Sequence, residues 1–113
     1  MAPPSKLAIS TSVVTRLVKE EASYHKEAVQ QASRIAKLES SPGDENAEYT
    51  LRQERQALQE TKNVLPSMKA KIGQAVERLE EELEVSGADA PDAEVTKAKE
   101  AIAKGKEAMQ ESA

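Results

Sequence analysis

Residues 51–79 read LRQERQALQETKNVLPSMKAKIGQAVERL. Large aliphatic side chains recur in this stretch at every seventh position, at Leu51, Leu58, Leu65, Ile72 and Leu79. Such a heptad is typical of a long helix that packs along its length against other helices. The apolar phase continues unchanged across Pro66, so we expect one long helix that the proline kinks. A complete break there, giving four helices, is the competing prediction.

Turn-forming residues mark both ends of this second helix. Ser41-Pro42-Gly43-Asp44 contains the residues that stop one helix and begin the next. We therefore expect the helix to span about residues 45–86, with Asp44 or Asn46 as its N-cap. Gly87 follows it and is predicted to be its C-terminal cap.

The first helix is predicted over about residues 11–40, after a flexible arm at residues 1–9. Pro3 and Pro4 oppose helix formation in the arm, and the hydroxyls of Ser10 to Ser12 are good N-cap acceptors. Its apolar stripe comprises Val14, Leu17, Val18, Ala28, Ala32, Ile35 and Leu38. The same stripe also receives the polar residues Glu21, Tyr24, His25 and Gln31, so we expect weak packing in the middle of this helix.

A shorter third helix is predicted over about residues 90–109, with Pro91 in its first turn. Its apolar stripe is thin and comprises Val95, Ala98, Ile102, Gly105 and Met109. A glycine inside a helix costs about 1 kcal/mol relative to alanine. We therefore expect fraying or disorder from Ala103 onward, and a flexible tail at residues 110–113.

Taken together, the patterns predict an all-α fold, an elongated antiparallel three-helix bundle over residues 10–109. Leu, Ile, Val and Phe make up only 20 of the 113 residues, a fraction close to that of disordered chains. The net charge of −4 and the regular apolar spacing argue against disorder. Short turns between consecutive helices require an up-down-up arrangement, in which the three stripes share one core.

The residues needed for catalysis or metal binding are nearly absent. The chain has no cysteine and one histidine, His25, which follows Glu21 by four positions. That pair could form half of a metal site or an acid–base pair, but no second His or Cys exists to complete a metal site. A half-exposed histidine beside a carboxylate is the favoured interpretation. The four glycines are too far apart to cradle a phosphate. We expect no enzyme activity and no cofactor.

Charge and composition argue against nucleic acid and membrane as partners. Lys and Arg alternate with Glu, aromatic residues are almost missing, and no apolar run approaches the roughly 20 residues of a membrane helix. A soluble intracellular protein is expected. Residues 76–94 carry eight acidic residues and one arginine. This end is predicted to be a solvated helix tip, with attraction of a basic partner as the alternative.

Three segments of the chain resemble the tubulin-specific chaperone A (tubulin-folding cofactor A) family. They are residues 14–20 (VTRLVKE) with Tyr24 and residues 26–31 (KEAVQQ), the turn at residues 42–46 (PGDEN) with Tyr49, and residues 58–66 (LQETKNVLP). The resemblance covers roughly residues 8–85. It includes the internal proline of the second helix. The third helix matches only in length and character.

This resemblance implies a rod-shaped bundle in the cytoplasm, associated with the cytoskeleton. It also implies capture of β-tubulin released from the chaperonin, by stoichiometric binding, before hand-over to other tubulin-folding cofactors. Both monomers and dimers occur in the family, so a homodimer is left open. Binding is expected to use helical faces rather than loops. Carried over by position, the candidate partner-binding residues are Lys19, Glu20, Lys26, Glu27, Gln30, Gln31, Gln59 and Glu60.

A second hypothesis is a generic helical-bundle adaptor or scaffold. Long polar helix faces are also compatible with ordinary solubility, and each candidate residue could be a solvated surface residue. Spectrin-like repeats usually bury a tryptophan in their first helix, and this chain has none. An adaptor should self-associate through exposed apolar stripes, whereas a tubulin chaperone should bind β-tubulin.

Overall fold

The computed structural model describes residues 3–40, Gly43 and residues 45–110. Three α-helices and no strand make up this part of the chain: α1 spans Lys6–Ser40, α2 spans Glu45–Ser86 and α3 spans Asp92–Gln110. The predicted all-α three-helix bundle is confirmed. Three predicted turn residues, Ser41, Pro42 and the N-cap candidate Asp44, lie outside the described residues, as do tail residues 111–113.

α1 begins earlier than its sequence pattern predicts. The amide of Ala8 donates to Ser5 Oγ (3.0 Å) and the amide of Ile9 donates to the Ser5 carbonyl (2.9 Å), so Ser5 is the N-cap. Leu7 is only 1% exposed, seven positions before Val14 on the same stripe. The helix start predicted near residue 11 is therefore wrong, and residues 6–9 of the predicted arm belong to α1. Met1 and Ala2 lie outside the described residues. Ser5 caps as well as Ser10, and burial of Leu7 favours the earlier start.

α2 is one helix on both sides of Pro66, so the predicted break is wrong. The kink expected at Pro66 stays a prediction. At the C-terminal end, the amide of Gly87 donates to the Leu83 carbonyl (2.8 Å), which continues the helical hydrogen-bond pattern. Positive φ occurs at no described residue. Gly87 directly follows the last residue of α2, where the sequence placed the cap, but without the left-handed backbone of the usual glycine cap.

The chain divides into two compact units, and the boundaries lie within α1 and α2. The three-helix unit contains Met1–Glu21 and Met68–Ser112, and the two-helix unit contains Ala22–Ser67. α3 has 19 residues, whereas α1 has 35 and α2 has 42. A helix this short can cover only part of the longer helices. The sequence had predicted one core shared by all three helices along residues 10–109.

The three-helix unit holds most of the buried apolar side chains. They are Leu7, Val14, Leu17, Met68, Ile72, Ala75, Val76, Leu79, Ala98, Ala101 and Ala108. Ser5 Oγ donates to Glu94 Oε1 (2.5 Å), which joins the beginnings of α1 and α3. Lys106 Nζ lies 3.0 Å from Glu80 Oε2 and joins α3 to α2. A Cβ built on Gly105 would lie 3.3 Å from Val14 Cγ1, so the step from Glu94 to Gly105 along α3 follows the step from Ser5 to Val14 along α1, and these two helices run in the same direction. Five residues connect α2 to α3, so α2 runs against both.

Small residues bring α3 close to its neighbours. Ala98, Ala101, Gly105 and Ala108 are buried. A Cβ built on Gly105 would lie 2.5 Å from Val76 Cγ2 and 3.3 Å from Val14 Cγ1. Of the larger residues predicted to face the core, Val95 and Ile102 are half-buried and Met109 is exposed. α3 stays helical to Gln110, so the disorder predicted for residues 103–110 is wrong. At the other end, Pro91 precedes the helix rather than lying in its first turn.

The two-helix unit has a thinner interior. Among its described residues only Gln31, Thr61 and Leu65 are buried. The buried Thr61 hydroxyl donates to the Ala57 carbonyl (3.0 Å), so its hydrogen-bond partner lies within α2 itself. Ala32, predicted to face inward, is exposed. This unit is therefore polar at its centre, as expected from the middle of the α1 stripe.

Candidate functional site

The two-helix unit carries five of the predicted partner-binding residues on its surface. We call this set the polar face; it consists of Lys26, Glu27 and Gln30 on α1 and Gln59 and Glu60 on α2, all exposed. Lys19 and Glu20 are also exposed but belong to the three-helix unit. Five of the eight candidates are therefore exposed within one unit, which also contains the buried Gln31.

Ion pairs between α1 and α2 set the register of the polar face. Arg34 Nε lies 3.2 Å from Glu54 Oε1. Only four residues separate the two helices in sequence, so they run antiparallel. Gln30 lies four residues before Arg34, and Gln59 lies five residues after Glu54. Antiparallel pairing puts Gln30 and Gln59 at about the same level along the two helices.

Hydrogen bonds along α2 hold part of the polar face in place. Gln59 Nε2 donates to Asn63 Oδ1 (2.9 Å), one helical turn later. Gln56 Nε2 donates to Glu60 Oε1 over a longer distance of 3.4 Å. Such contacts between residues four apart restrict side-chain rotation and contribute roughly 0.2–0.5 kcal/mol each. Gln59 and Glu60 thus present partly ordered polar groups.

Gln31 is the candidate that the structure corrects. Its side chain is only 4% exposed, so it does not belong to the outer surface. Its Oε1 atom is buried and accepts no hydrogen bond from the described residues. An unsatisfied buried acceptor costs about 1–3 kcal/mol. Gln31 falls on the apolar stripe, seven residues before Leu38, and this position decides its orientation.

Apolar side chains of the two-helix unit remain half-buried because it contains only two helices. The affected residues are Tyr24, Ile35, Leu38, Leu51 and Leu58, which we call the open seam. Val29 and Tyr49 in the same unit are 69% and 59% exposed. In the three-helix unit, by contrast, the heptad residues Ile72 and Leu79 have no exposed surface. Sequence reasoning missed the open seam, although the shortness of the third helix was a usable signal.

The described residues contain no cluster of three or more His, Cys, Asp or Glu that could hold a metal ion. In the same part of the chain, no helix has the length and apolar character needed to cross a bilayer. His25 is half-buried and Glu21 is buried. What the surface offers is amides, carboxylates and ammonium groups on helices, which can form hydrogen bonds and ion pairs with another macromolecule.

A comparison with family models matches residues 2–102 to the family described as Tubulin binding cofactor A. The chain belongs to this family. The Tubulin binding cofactor A family consists of tubulin-binding chaperones rather than enzymes, so the prediction that the chain is not an enzyme is confirmed. The match reaches well into α3, further than the segments that suggested the resemblance.

Relatives that match this chain come from animals and from yeast. The Tubulin-specific chaperone A proteins of Mus musculus and Homo sapiens are each 34% identical to it over 79 residues, which is 70% of either chain. The Saccharomyces cerevisiae protein of the same name is 33% identical over 78 residues, 69% of this chain and 72% of its own. No solved structure shows a significant match.

Proposed function

We propose that this chain is a tubulin-folding cofactor that captures β-tubulin after its release from the chaperonin. It holds the β-tubulin by stoichiometric binding, without chemistry, until other tubulin-folding cofactors take it over. The observation that carries the proposal is membership of the Tubulin binding cofactor A family over residues 2–102. The absence of cysteine and the single histidine agree with a role based on binding.

The polar face is the proposed contact surface within the two-helix unit. Its five side chains are exposed, and Gln59 is held by its bond to Asn63. Long polar side chains at one level of two helices can make several hydrogen bonds at once. Each such bond contributes about 0.5–1.5 kcal/mol net, so many are needed for stable capture. Lys19 and Glu20 are proposed as a separate contact patch on the three-helix unit.

The open seam supplies an apolar contribution to the same binding event. Half-buried side chains such as Leu51 and Leu58 lose their remaining exposed area when a partner covers them. Burial of apolar surface contributes about 25 cal/mol per Å². A folding intermediate exposes apolar surface of its own, so it can bind here without a specific pocket. Gln31 lies on the buried side of α1 and is not proposed as a contact.

We place this activity in the cytoplasm, in association with the microtubule cytoskeleton, because that is where β-tubulin is folded and assembled. No nucleotide or metal is required by the proposed mechanism. Release depends on competition from a later binding partner, because the proposed complex contains no covalent bond to β-tubulin.

Gel filtration of the purified chain with β-tubulin tests the proposal, with α-tubulin as the control. Co-elution with β-tubulin and separation from α-tubulin are expected. If no complex with β-tubulin forms at micromolar concentrations, the proposed function is wrong. Co-elution with both tubulins to the same extent would contradict the β-tubulin specificity.

Matched alanine variants test the polar face. Glu60→Ala and Lys26→Ala should weaken β-tubulin capture while leaving thermal unfolding almost unchanged. Glu84→Ala on α2 and Lys97→Ala on α3 are the controls, because both residues are exposed and lie outside the polar face. Equal loss in all four variants would show that general surface charge, and not this face, governs binding.

The adaptor alternative predicts self-association through the open seam. Sedimentation velocity over a range of protein concentrations distinguishes the two hypotheses. A chaperone should change its sedimentation when β-tubulin is added, whether it starts as a monomer or a homodimer. A scaffold should self-associate, and its sedimentation should not change when β-tubulin is added.

A further inference from the structure

A groove between α1 and α2 lies on the three-helix unit. Its volume is about 500 Å³. Its floor is apolar and includes the buried side chains of Leu17 and Ala75. Ile9 stands at one end and is 50% exposed. Ile9 and the half-buried Val13 therefore leave apolar surface open to solvent within the groove.

The rim of this groove is basic. Arg16, Lys71 and Arg78 line it together with one acidic residue, Glu20. Arg16 pairs only loosely with Glu20, at 3.9 Å and with both side chains at least half exposed. Within the described part of the chain, Lys71 and Arg78 form no ion pair. The groove thus carries a formal charge of +2 on a chain whose net charge is −4.

α3 leaves the groove uncovered. Gly105 of α3 faces Val14, Ile72 and Val76. The described residues that line the groove come from α1 and α2 alone. Both helices that flank the groove are regular helix over the lining residues, without proline, so the groove is formed before any partner arrives.

We propose that this groove binds an acidic amphipathic helix of a partner protein. The apolar floor takes the partner's aliphatic side chains, and the basic rim takes carboxylates on either side of them. Apolar anchors spaced three or four residues apart are the usual way in which a helix occupies a groove between two helices. A polyanion without apolar groups would leave Ile9 and the floor uncovered, so a peptide fits better than a nucleic acid.

The length of the groove sets the length of the occupant. From Ile9 to Glu20 the α1 side includes twelve residues, a rise of roughly 16 Å at 1.5 Å per residue. A helix of about twelve residues matches this length. The groove differs from the polar face and belongs to the other unit, sharing only Glu20 with the predicted contact residues. The inference therefore goes beyond the proposed capture of β-tubulin and does not depend on it.

Fluorescence anisotropy with a synthetic peptide tests the proposal on the full chain. The probe is a labelled, helix-forming peptide with leucine at every third or fourth position and glutamate on both flanks. Saturable binding is expected, weakened at high salt. A second peptide with glutamine in place of leucine should bind at least about tenfold more weakly, equivalent to about 1.4 kcal/mol. Equal binding of the two peptides, or no binding at about millimolar peptide, would overturn the proposal.

Two double variants locate the binding. Lys71→Gln with Arg78→Gln removes two rim charges and should weaken binding about tenfold. Lys97→Gln with Lys104→Gln is the matched control, because it removes two exposed lysines with the same spacing from α3 of the same unit. The control should change binding by less than about twofold. Similar losses in both would show unspecific charge attraction and refute the groove.

One competitor and one sedimentation experiment identify what occupies the groove. A single-stranded oligonucleotide that displaces the leucine peptide at equal concentration would show a polyanion site instead. Sedimentation of the chain alone provides the other comparison. Self-association that is abolished by Lys71→Gln with Arg78→Gln would show that a second copy occupies the groove. Either result contradicts the proposal, whereas a chain that stays monomeric and binds the leucine peptide in preference to the oligonucleotide supports it.

Discussion

Replacing Gly105 with alanine tests the close approach of α3 to α1 and α2. The added Cβ would lie 2.5 Å from Val76 Cγ2, 3.3 Å from Val14 Cγ1 and 3.6 Å from Ile72 Cγ2. Carbon atoms in contact prefer about 3.5–4.0 Å. Because valine is β-branched and strongly prefers one rotamer in a helix, Val76 cannot swing aside cheaply. The helices have to separate instead.

Two opposing terms determine the size of the effect. Alanine is the better helix former by about 0.8–1.0 kcal/mol. Overpacking of a filled core costs about 1–3 kcal/mol, and we expect the upper part of this range because residues of two helices are crowded. Gly105→Ala should therefore destabilise the chain by roughly 1–2 kcal/mol. Helix propensity alone predicts the opposite sign.

Gly73→Ala is the matched control. Gly73 also lies in a helix interior, but a Cβ there would meet only the end of the Met109 side chain, at 3.2 Å. Methionine is flexible and can move away, so this variant should gain most of the propensity term. Thermal unfolding followed by circular dichroism should separate the two variants by about 1.5–3 kcal/mol. At about 4 °C per kcal/mol for a chain of this size, the melting temperatures should differ by about 6–12 °C.

A double variant completes the test. Val76→Ala removes the crowding atom, so Gly105→Ala should stabilise the Val76→Ala background even though it destabilises the original chain. This change of sign measures the coupling of the two positions directly. If Gly105→Ala raises the melting temperature as much as Gly73→Ala, the close packing of α3 described above is wrong.

Four further predictions concern stability. Gln31→Leu should stabilise the chain by about 1 kcal/mol, because it removes the unsatisfied buried acceptor. Leu65→Ala should cost about 2–5 kcal/mol, and Leu58→Ala clearly less, because Leu65 is 2% exposed and Leu58 half-buried. Ser5→Ala should cost about 0.5–2 kcal/mol through loss of the α1 N-cap. Truncation after residue 88 should unfold the three-helix unit, since it removes α3. Circular dichroism and urea unfolding measure the stability change in all four cases.

Each of these predictions has its own contradicting result. A lower melting temperature for Gln31→Leu would mean that its amide is satisfied in solution. Equal losses of stability in Leu58→Ala and Leu65→Ala would show that the side chains of the open seam are fully buried in the two-helix unit. Ser5→Thr keeps a capping hydroxyl and should retain most of the stability that Ser5→Ala loses. Unchanged unfolding of the truncated chain would show that α3 contributes nothing to the core.

The parts of the fold that depend on the heptad could be predicted from sequence. α2 begins and ends where the pattern places it, and Leu65, Ile72 and Leu79 are buried as expected. The long repeat makes these features predictable, because every heptad position falls on the same face of the helix. A single proline cannot outweigh so many consistent contacts.

The parts that depend on small residues could not be predicted in the same way. A search for large side chains selects Val95, Ile102 and Met109 as the inner face of α3, yet the buried positions are alanines and Gly105. Close helix approach reverses the usual rule, because the smallest residues then occupy the most crowded positions. The start of α1 was uncertain for another reason, since several serines can serve as its cap.

The candidate site could be predicted from the sequence as a set of exposed polar residues. The burial of individual members and the open seam beside them could not. Gln31 shows the limit, because the sequence placed it both on the apolar stripe of α1 and among the surface candidates carried over from the resemblance. Its position on the stripe, seven residues before Leu38, decides that it is buried. The open seam depends on how far α3 extends along its neighbours, which the spacing of residues within each helix does not reveal.

The unit boundaries inside continuous helices restrict how this chain can change in length. Neither α1 nor α2 has a loop at its boundary, so an inserted residue would turn all later side chains by about 100° around the helix axis. A single insertion or deletion in α2 would expose one half of the heptad while leaving the other half in place. Steps of seven residues preserve the pattern. Evolution of the helical part of this chain should therefore proceed by substitution or by whole heptads, with other length changes confined to the connections and the ends.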